Sequence, residues 1–211
     1  VAWKPDYITS AELKSELHMD VGDVADDAQI ARWVTSASRT VDDWAHRQFG
    51  QEAAPVARTY EAEYDRHQAA WIVDVDDIGT LTGLSIAVDG QAALLGAEYT
   101  LLPRNALLDG MVYEQIKIGG GTSTWGTVAP WASTSSAARV VEVTARFGWP
   151  AVPVPIKQAT LMQALRLEAR RSSPFGIAGS PQQGSELRLL EKLDVDAAMV
   201  AKAYRRDWWA S

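Results

Sequence analysis

The hydrophobic period of this chain changes twice, and those two changes restrict the folds open to it. In "DDAQIARWVTSASRTVDDWAHRQFG" the residues Ile30, Trp33, Val34, Ala37, Val41, Trp44 and Ala45 recur at three- and four-residue steps. That is the signature of one buried helical face. From about Pro55 the pattern turns to alternation. "RTYEAEY", "AWIVDV", "GLSIAVDG", "EYTLLP", "VYEQIKI" and "RVVEVTARFGW" read as six strands separated by Gly, Asp and Pro. After "FGWPAVPVPIKQA" the period is helical again. Helices at both ends must hide their apolar stripes, and each other is the available cover. The expected fold is therefore α+β: a helical bundle built from N- and C-terminal helices, with an inserted small antiparallel β-domain. The expected boundaries are 1–54, 55–149 and 150–211, and the β-domain is expected to be a small sandwich or barrel.

Local signals place the element ends. Thr9 and Glu12 form a capping box for a short helix ending near Leu17. Asp26 or Asp27 can cap the long helix and Gly50 can stop it. Along the sixth strand Val140, Glu142, Thr144 and Arg146 share one face, and Val141, Val143, Ala145 and Phe147 the other. Pro150 and Pro153 are expected to stop that strand, and Pro155 to occupy the first helical position. The prolines make residues 147–159 a rigid return into "IKQATLMQALRLEARR", a helix whose final Arg170 and Arg171 complement its negative end. Residues 119–137, with two tryptophans, and 172–184 read as loops. Residues 185–193 are open between a helical turn and an extended segment. Asp194 can cap a last helix, "VDAAMVAKAYRR".

Charge and composition exclude several functions. The 211 residues carry a net charge of -7, which argues against a protein built to grip nucleic acid. The balance is uneven: residues 1–54 hold 5 basic and 10 acidic groups, residues 55–149 hold 6 and 11, and residues 150–211 hold 9 and 6. A basic final third suits an acidic neighbour, a second copy included, and equally suits scattered solvated charges. With no cysteine there are no disulfides, thiolate metal sites or cysteine nucleophiles. No apolar run reaches the roughly 20 residues of a membrane span, and no basic-then-apolar leader is expected.

Chemical motifs are sparse. His18, His46 and His67 are isolated, and neither an HExxH nor a GxSxG pattern occurs. "GGGTSTWG" lacks the GK[ST] ending of a phosphate-binding loop. In "VDVDDIG", Asp74, Asp76 and Asp77 can offer oxygens to a hard cation, or simply mark a strand end. The carboxylates of "YEAEYD" can form an acid–base pair, or the wet side of an edge strand. No cofactor, metal or catalytic residue is expected.

The front block, "ITSAELKSEL" with "DDAQIARWVTSASRTVDDWAHRQFG", resembles the opening of head-to-tail connector (adaptor) proteins of long-tailed bacteriophages. "RFGWPAVPVPIKQATLMQALRLEARRSSPFGIAG" followed by "LDVDAAMVAKAYRR" resembles their C-terminal half, especially in phages of actinobacteria, and "VDDIGTLTGLSIAVDG" their β insertion. The resemblance covers most of the chain. It implies a homo-oligomeric ring, usually a dodecamer, docked beneath the portal protein and joined to a downstream stopper or neck protein. Genomic DNA passes through such a ring without tight binding. The location implied is the virion neck, after assembly in the host cytoplasm, with no catalysis and no membrane. Another neck component, a stopper or head-completion protein, remains as an alternative, and a carboxylate-based or metal-binding enzyme as a distant one.

On that reading two sets of residues are assigned. Arg166, Arg170 and Arg171 are expected at a ring interface, facing a neighbour's acidic surface, or else in exposed pairs within their own chain. Tyr204, Arg205, Arg206, Trp208 and Trp209, residue types that dominate interface hot spots, are expected to bind the portal or to fold back on their own helices.

Overall fold

The computed structural model describes residues 4–20, 22, 24–90, 94, 96, 98–119, 139–172, 177–178, 187–188 and 195–206. In chain order the elements are α1 (Ser10–Glu16), α2 (Asp27–Ala45), β1 (Val56–Asp65), β2 (Ala70–Ile78), β3 (Ser85–Val88), β4 (Tyr99–Leu102), β5 (Tyr113–Ile118), β6 (Arg139–Ala145), α3 (Val154–Ser172), β7 (Ile177–Ala178), β8 (Leu187–Arg188) and α4 (Val195–Ala201). A 3-10 turn, Lys202–Tyr204, follows α4. The fold is α+β. The chain divides into two compact units: a β unit over Gly50–Pro150, and a helical unit over Lys4–Phe49 and Ala151–Ser211.

In the helical unit, α1 starts with both halves of its capping box. The Glu12 amide donates to Thr9 Oγ1 at 3.1 Å and the Thr9 amide donates to Glu12 Oε2 at 2.6 Å. The stripe of α2 is buried at Ile30, Trp33, Val34, Ala37, Val41 and Ala45, and it packs with Ile8, Leu13 and the α3 residue Ala164. Leu161, Leu165 and Leu167 of α3 close over that core. Each fully buried large aliphatic side chain contributes about 1.5–3 kcal/mol, so this seam dominates the unit's stability. Ser38 and Thr160 sit inside it with their hydroxyls donating to the Val34 and Ile156 carbonyls.

Four details of the helical unit differ from the sequence expectation. Trp44 is only half-buried. Asp26 stands at the N-cap of α2 without a side-chain cap bond. That helix ends not at Gly50 but at His46, whose φ of 54° is left-handed and whose amide donates to Asp42; histidine is among the residues that adopt this region more readily than most. The fourth difference is at α3, which starts at Val154, so Pro155 is its second residue; the Pro153 carbonyl accepts from the Ile156 and Lys157 amides. Both prolines fall where an amide donor is not needed. Within the segments read as a loop and as ambiguous, β7 and β8 pair antiparallel, Ile177 opposite Arg188. Asp194 as a helix cap, and most of the 119–137 loop with its two tryptophans, lie outside the described residues.

The β unit is a single six-stranded antiparallel sheet of order β3-β6-β1-β2-β5-β4, not a two-sheet sandwich. Its inner face buries Val73, Val75, Ile78, Ile86, Ile116, Ile118, Val141, Val143, Ala145 and Phe147. With no helix among the described residues of this unit to cover that face, the sheet curls so that its own strands enclose the core. The alternation expected along β6 is present: Val141, Val143 and Ala145 are buried, Val140 and Glu142 exposed. β1 is central, between β6 and β2, so the expected edge strand is instead a middle one.

β6 ends at Ala145, before either proline expected to stop it. Phe147, Gly148 and Trp149 run on through a knot of main-chain bonds. The Glu52 amide donates to Phe147, the Gly79 amide to Gly148, and the Trp149 amide to Gly50, at 2.9, 3.1 and 2.9 Å. The two ends of the β unit therefore meet.

Candidate functional site

The aspartates of "VDVDDIG" lie on β2, where a register irregularity between Asp74 and Ile78 breaks the alternation. Each is taken by a different protein donor. Asp74 accepts from Gln115 Nε2 at 2.7 Å. Asp76 accepts from Arg58 at 2.6 Å and from the Tyr60 hydroxyl at 2.8 Å. Asp77, buried, accepts from the Trp149 indole at 2.8 Å. Arg58 also reaches Glu52 at 3.0 Å, and its guanidinium lies 4.4 Å from the Phe147 ring centroid. Burial and then the bond to Asp76 push the Tyr60 hydroxyl well above its ordinary pKa. Among the described residues no group of three His, Cys, Asp or Glu could hold a metal ion. The cluster ties β1 to β2 and to residue 52 through Asp76, while Asp77 holds the Trp149 indole and Asp74 the Gln115 amide. As for "YEAEYD", Glu61 and Glu63 point outward from the centre of the sheet.

A second buried polar cluster, in the helical unit, was missed in the sequence. The Tyr7 hydroxyl donates to Asp42 and accepts from the Phe49 amide at 2.8 Å. Arg39 pairs with Asp42 at 3.2 Å, and its guanidinium donates to the Pro5 carbonyl at 2.6 Å. Burial raises the Asp42 carboxyl to about 6, against the opposing pull of the Tyr7 bond and the Arg39 charge. A signal was present: Asp42 follows Val41 on the stripe that buries Ser38 and Ala45. A carboxylate in that register needs a donor, and the sequence alone does not say that Tyr7 supplies it.

The residues assigned to ring contact lie on α3. Arg166 and Arg170 are part-buried; Arg171, 59% exposed, pairs with Asp26 at 3.5 Å and has its guanidinium 5.9 Å from the Trp33 ring. This pair lies within the chain and is exposed on both sides, so it contributes little to stability.

Of the residues assigned to the portal, three pack on the end of α2. The Arg206 amide donates to the Ala45 carbonyl at 2.9 Å and Arg206 is 8% exposed. Arg205 stacks 5.5 Å from the Trp44 ring centroid and stands 3.3 Å from His46 Nε2. Tyr204 meets Phe49 edge-on at 6.2 Å. Trp208 and Trp209 lie outside the described residues. The structure thus joins Tyr204, Arg205 and Arg206 with Trp44, His46 and Phe49, contacts that the sequence does not announce because the two segments lie some 155 positions apart.

No family model matches the chain, and no curated protein matches it. Among solved structures it is similar to a chain in the neck of an empty GTA particle computed with C6 symmetry: TM-score 0.49, 15% identity, 98% of this chain and 93% of that one covered. It is also similar to a chain in the virion of a native gene transfer agent (GTA) particle, with TM-score 0.43, 18% identity, and 92% and 97% covered. Both TM-scores fall below 0.5.

Proposed function

We propose that this chain is a structural neck component of a tailed phage-like particle, a head-to-tail adaptor. In that role it forms a homo-oligomeric ring, a dodecamer on the family pattern, between a portal and a downstream stopper, and lets DNA pass. The observation that carries this is the build of the helical unit. It is assembled from both ends of the chain, Lys4–Phe49 and Ala151–Ser211, around an inserted β unit, in the element order of the connector proteins that the sequence resembles. The fate of the ionisable clusters supports it: Arg58–Asp76–Tyr60 and Tyr7–Asp42–Arg39 join elements of their own unit. Such groups hold a scaffold. They do not converge on a substrate.

The test is imaging and mass measurement of the purified full chain, alone and with a portal ring. Closed rings that cap the portal are expected. A chain that stays monomeric at all concentrations and ignores the portal overturns the proposal. Portal contact is assigned to the C-terminal segment, and the structure refines how to probe it. Deleting 204–211 also removes the Phe49 and Trp44 packing of Tyr204 and Arg205, whereas deleting 207–211 leaves it. The shorter deletion is expected to abolish portal capture while the thermal midpoint of the chain stays unchanged.

A further inference from the structure

The outer face of the sheet carries charge that its own unit does not neutralise. Glu61 and Glu63 of β1, Asp74 of β2 and Glu142 of β6 are all exposed. The pairing sets them side by side: Glu61 opposite Val140, Glu142 opposite Thr59, and Glu63 opposite Ile72. Glu61 and Glu142 are thus diagonal neighbours on adjacent central strands, about 7–8 Å apart. Of the cations on the same face, Lys117 donates to Gln68 at 3.0 Å and Arg146 donates to the Glu52 carbonyl at 3.2 Å. Among the described residues no ion pair reaches Glu61, Glu63 or Glu142. Glutamate is disfavoured in strands, and like charges on adjacent strands repel. Three such residues at the centre of a sheet, around a half-exposed Val140, cost stability unless a surface from outside meets them.

The chain itself carries a surface of the opposite sign. Arg166 and Arg170 stand four positions apart on α3, on one helical face about 6 Å apart along the axis; Arg171, about 100° further round the last turn, pairs with Asp26. Alternate residues of a strand such as Glu61 and Glu63 are about 7 Å apart. The two spacings match closely enough for successive arginines to meet successive carboxylates, in the bidentate geometry that Arg favours. An acidic sheet face and a basic helix end on one subunit are two different patches, which is what a head-to-tail ring contact requires.

We infer that the outer face of β6, β1 and β2, centred on Glu61, Glu63 and Glu142, docks the Arg166–Arg170–Arg171 end of α3 from a second copy of this chain. This rests on the ring reading for the existence of a neighbouring copy. The test uses two full-length variants, Glu61→Arg with Glu142→Arg, and Arg170→Glu with Arg171→Glu. Their folding is checked by circular dichroism, and their mass is measured by sedimentation over a concentration series. Each variant alone sets like charges against each other, and its half-assembly concentration is expected to rise by about tenfold or more. Mixed one to one, the two variants restore opposite charges at every contact and are expected to assemble at the wild-type concentration.

A variant that assembles alone as well as the wild type, or a mixture of folded variants that does not recover, overturns the inference while leaving the ring itself standing. A wild-type chain that is monomeric throughout removes the ring and this contact together. Should a reversal fail to fold, Glu61→Gln with Glu142→Gln replaces it. That variant is expected to weaken assembly and its salt dependence together, and unchanged assembly then overturns the contact.

Discussion

Gly148 shows how one residue can fix a route through the fold. Its φ of 102° lies where only glycine is at ease, and a Cβ placed there would fall 1.9 Å from the Gly50 carbonyl oxygen. Gly90 also has a positive φ, 72°, but a Cβ there would meet nothing within 4 Å. The pair separates backbone strain from collision. Gly90→Ala is expected to cost about 1–2 kcal/mol from strain alone. Gly148→Ala adds a clash with main chain that cannot rotate away, about 1–3 kcal/mol more. Urea unfolding of both variants checks this, and equal losses would show that the Gly50 contact yields freely. The same scale holds Asp77, whose carboxylate receives the Trp149 indole. "FGW" in the sequence marks a turn, but not the strands it is stitched to.

At the scale of elements, the α2–α3 seam and the sheet follow from pattern, while the polar cluster beneath them does not. Asp42 joins α2 to the segment before α1 through Tyr7, and to Phe49 through the same hydroxyl. Because burial raises its carboxyl to about 6, above the ordinary range, the folded state holds that proton more tightly than the unfolded state does. The stability it contributes is full below about pH 4 and is lost as pH rises through about 6. Asp42→Asn keeps an acceptor for Tyr7 and removes the titration. The unfolding free energy of the wild type, measured relative to this variant, is expected to fall by about 2–3 kcal/mol between pH 4 and pH 7.5. A constant difference across that range would mean that Arg39 holds the carboxylate ionised throughout. Glu12 moves the other way: its bonds to the Thr9 amide and hydroxyl hold its carboxyl below the usual range. The Glu12 half of the α1 capping box therefore weakens as pH falls while the Thr9 hydroxyl still accepts from the Glu12 amide, and Thr9→Ala is expected to cost about 1 kcal/mol at neutral pH.

At the scale of the whole molecule, the meeting of Gly50 and Trp149 makes the β unit a closed excursion from the helical unit. Replacing residues 50–150 by a short Gly-Ser linker is expected to leave a folded helical unit, since Phe49 directly precedes Gly50 and Ala151 stands two positions after its bonded partner Trp149. Fragment 50–150 is expected to fold alone on its own core. Loss of cooperative thermal unfolding in both pieces would show that the units depend on each other.

The α+β class and most of the elements are legible along the chain, the β7–β8 pair excepted. The 3.6-residue stripe of α2, the alternation of β6 and the Thr9–Glu12 box are local patterns, and local patterns are set by neighbours within a few positions. Which strand lies at the centre is set by long-range pairing, because β1 pairs with β6 some 80 positions away and nothing within β1 names that partner. The same reason hid the Tyr7–Asp42 bond, the packing of Tyr204 on Phe49 and the carbonyl that Gly148 must clear. Each is a contact between distant segments, fixed by the closing of a core and not by the residues on either side.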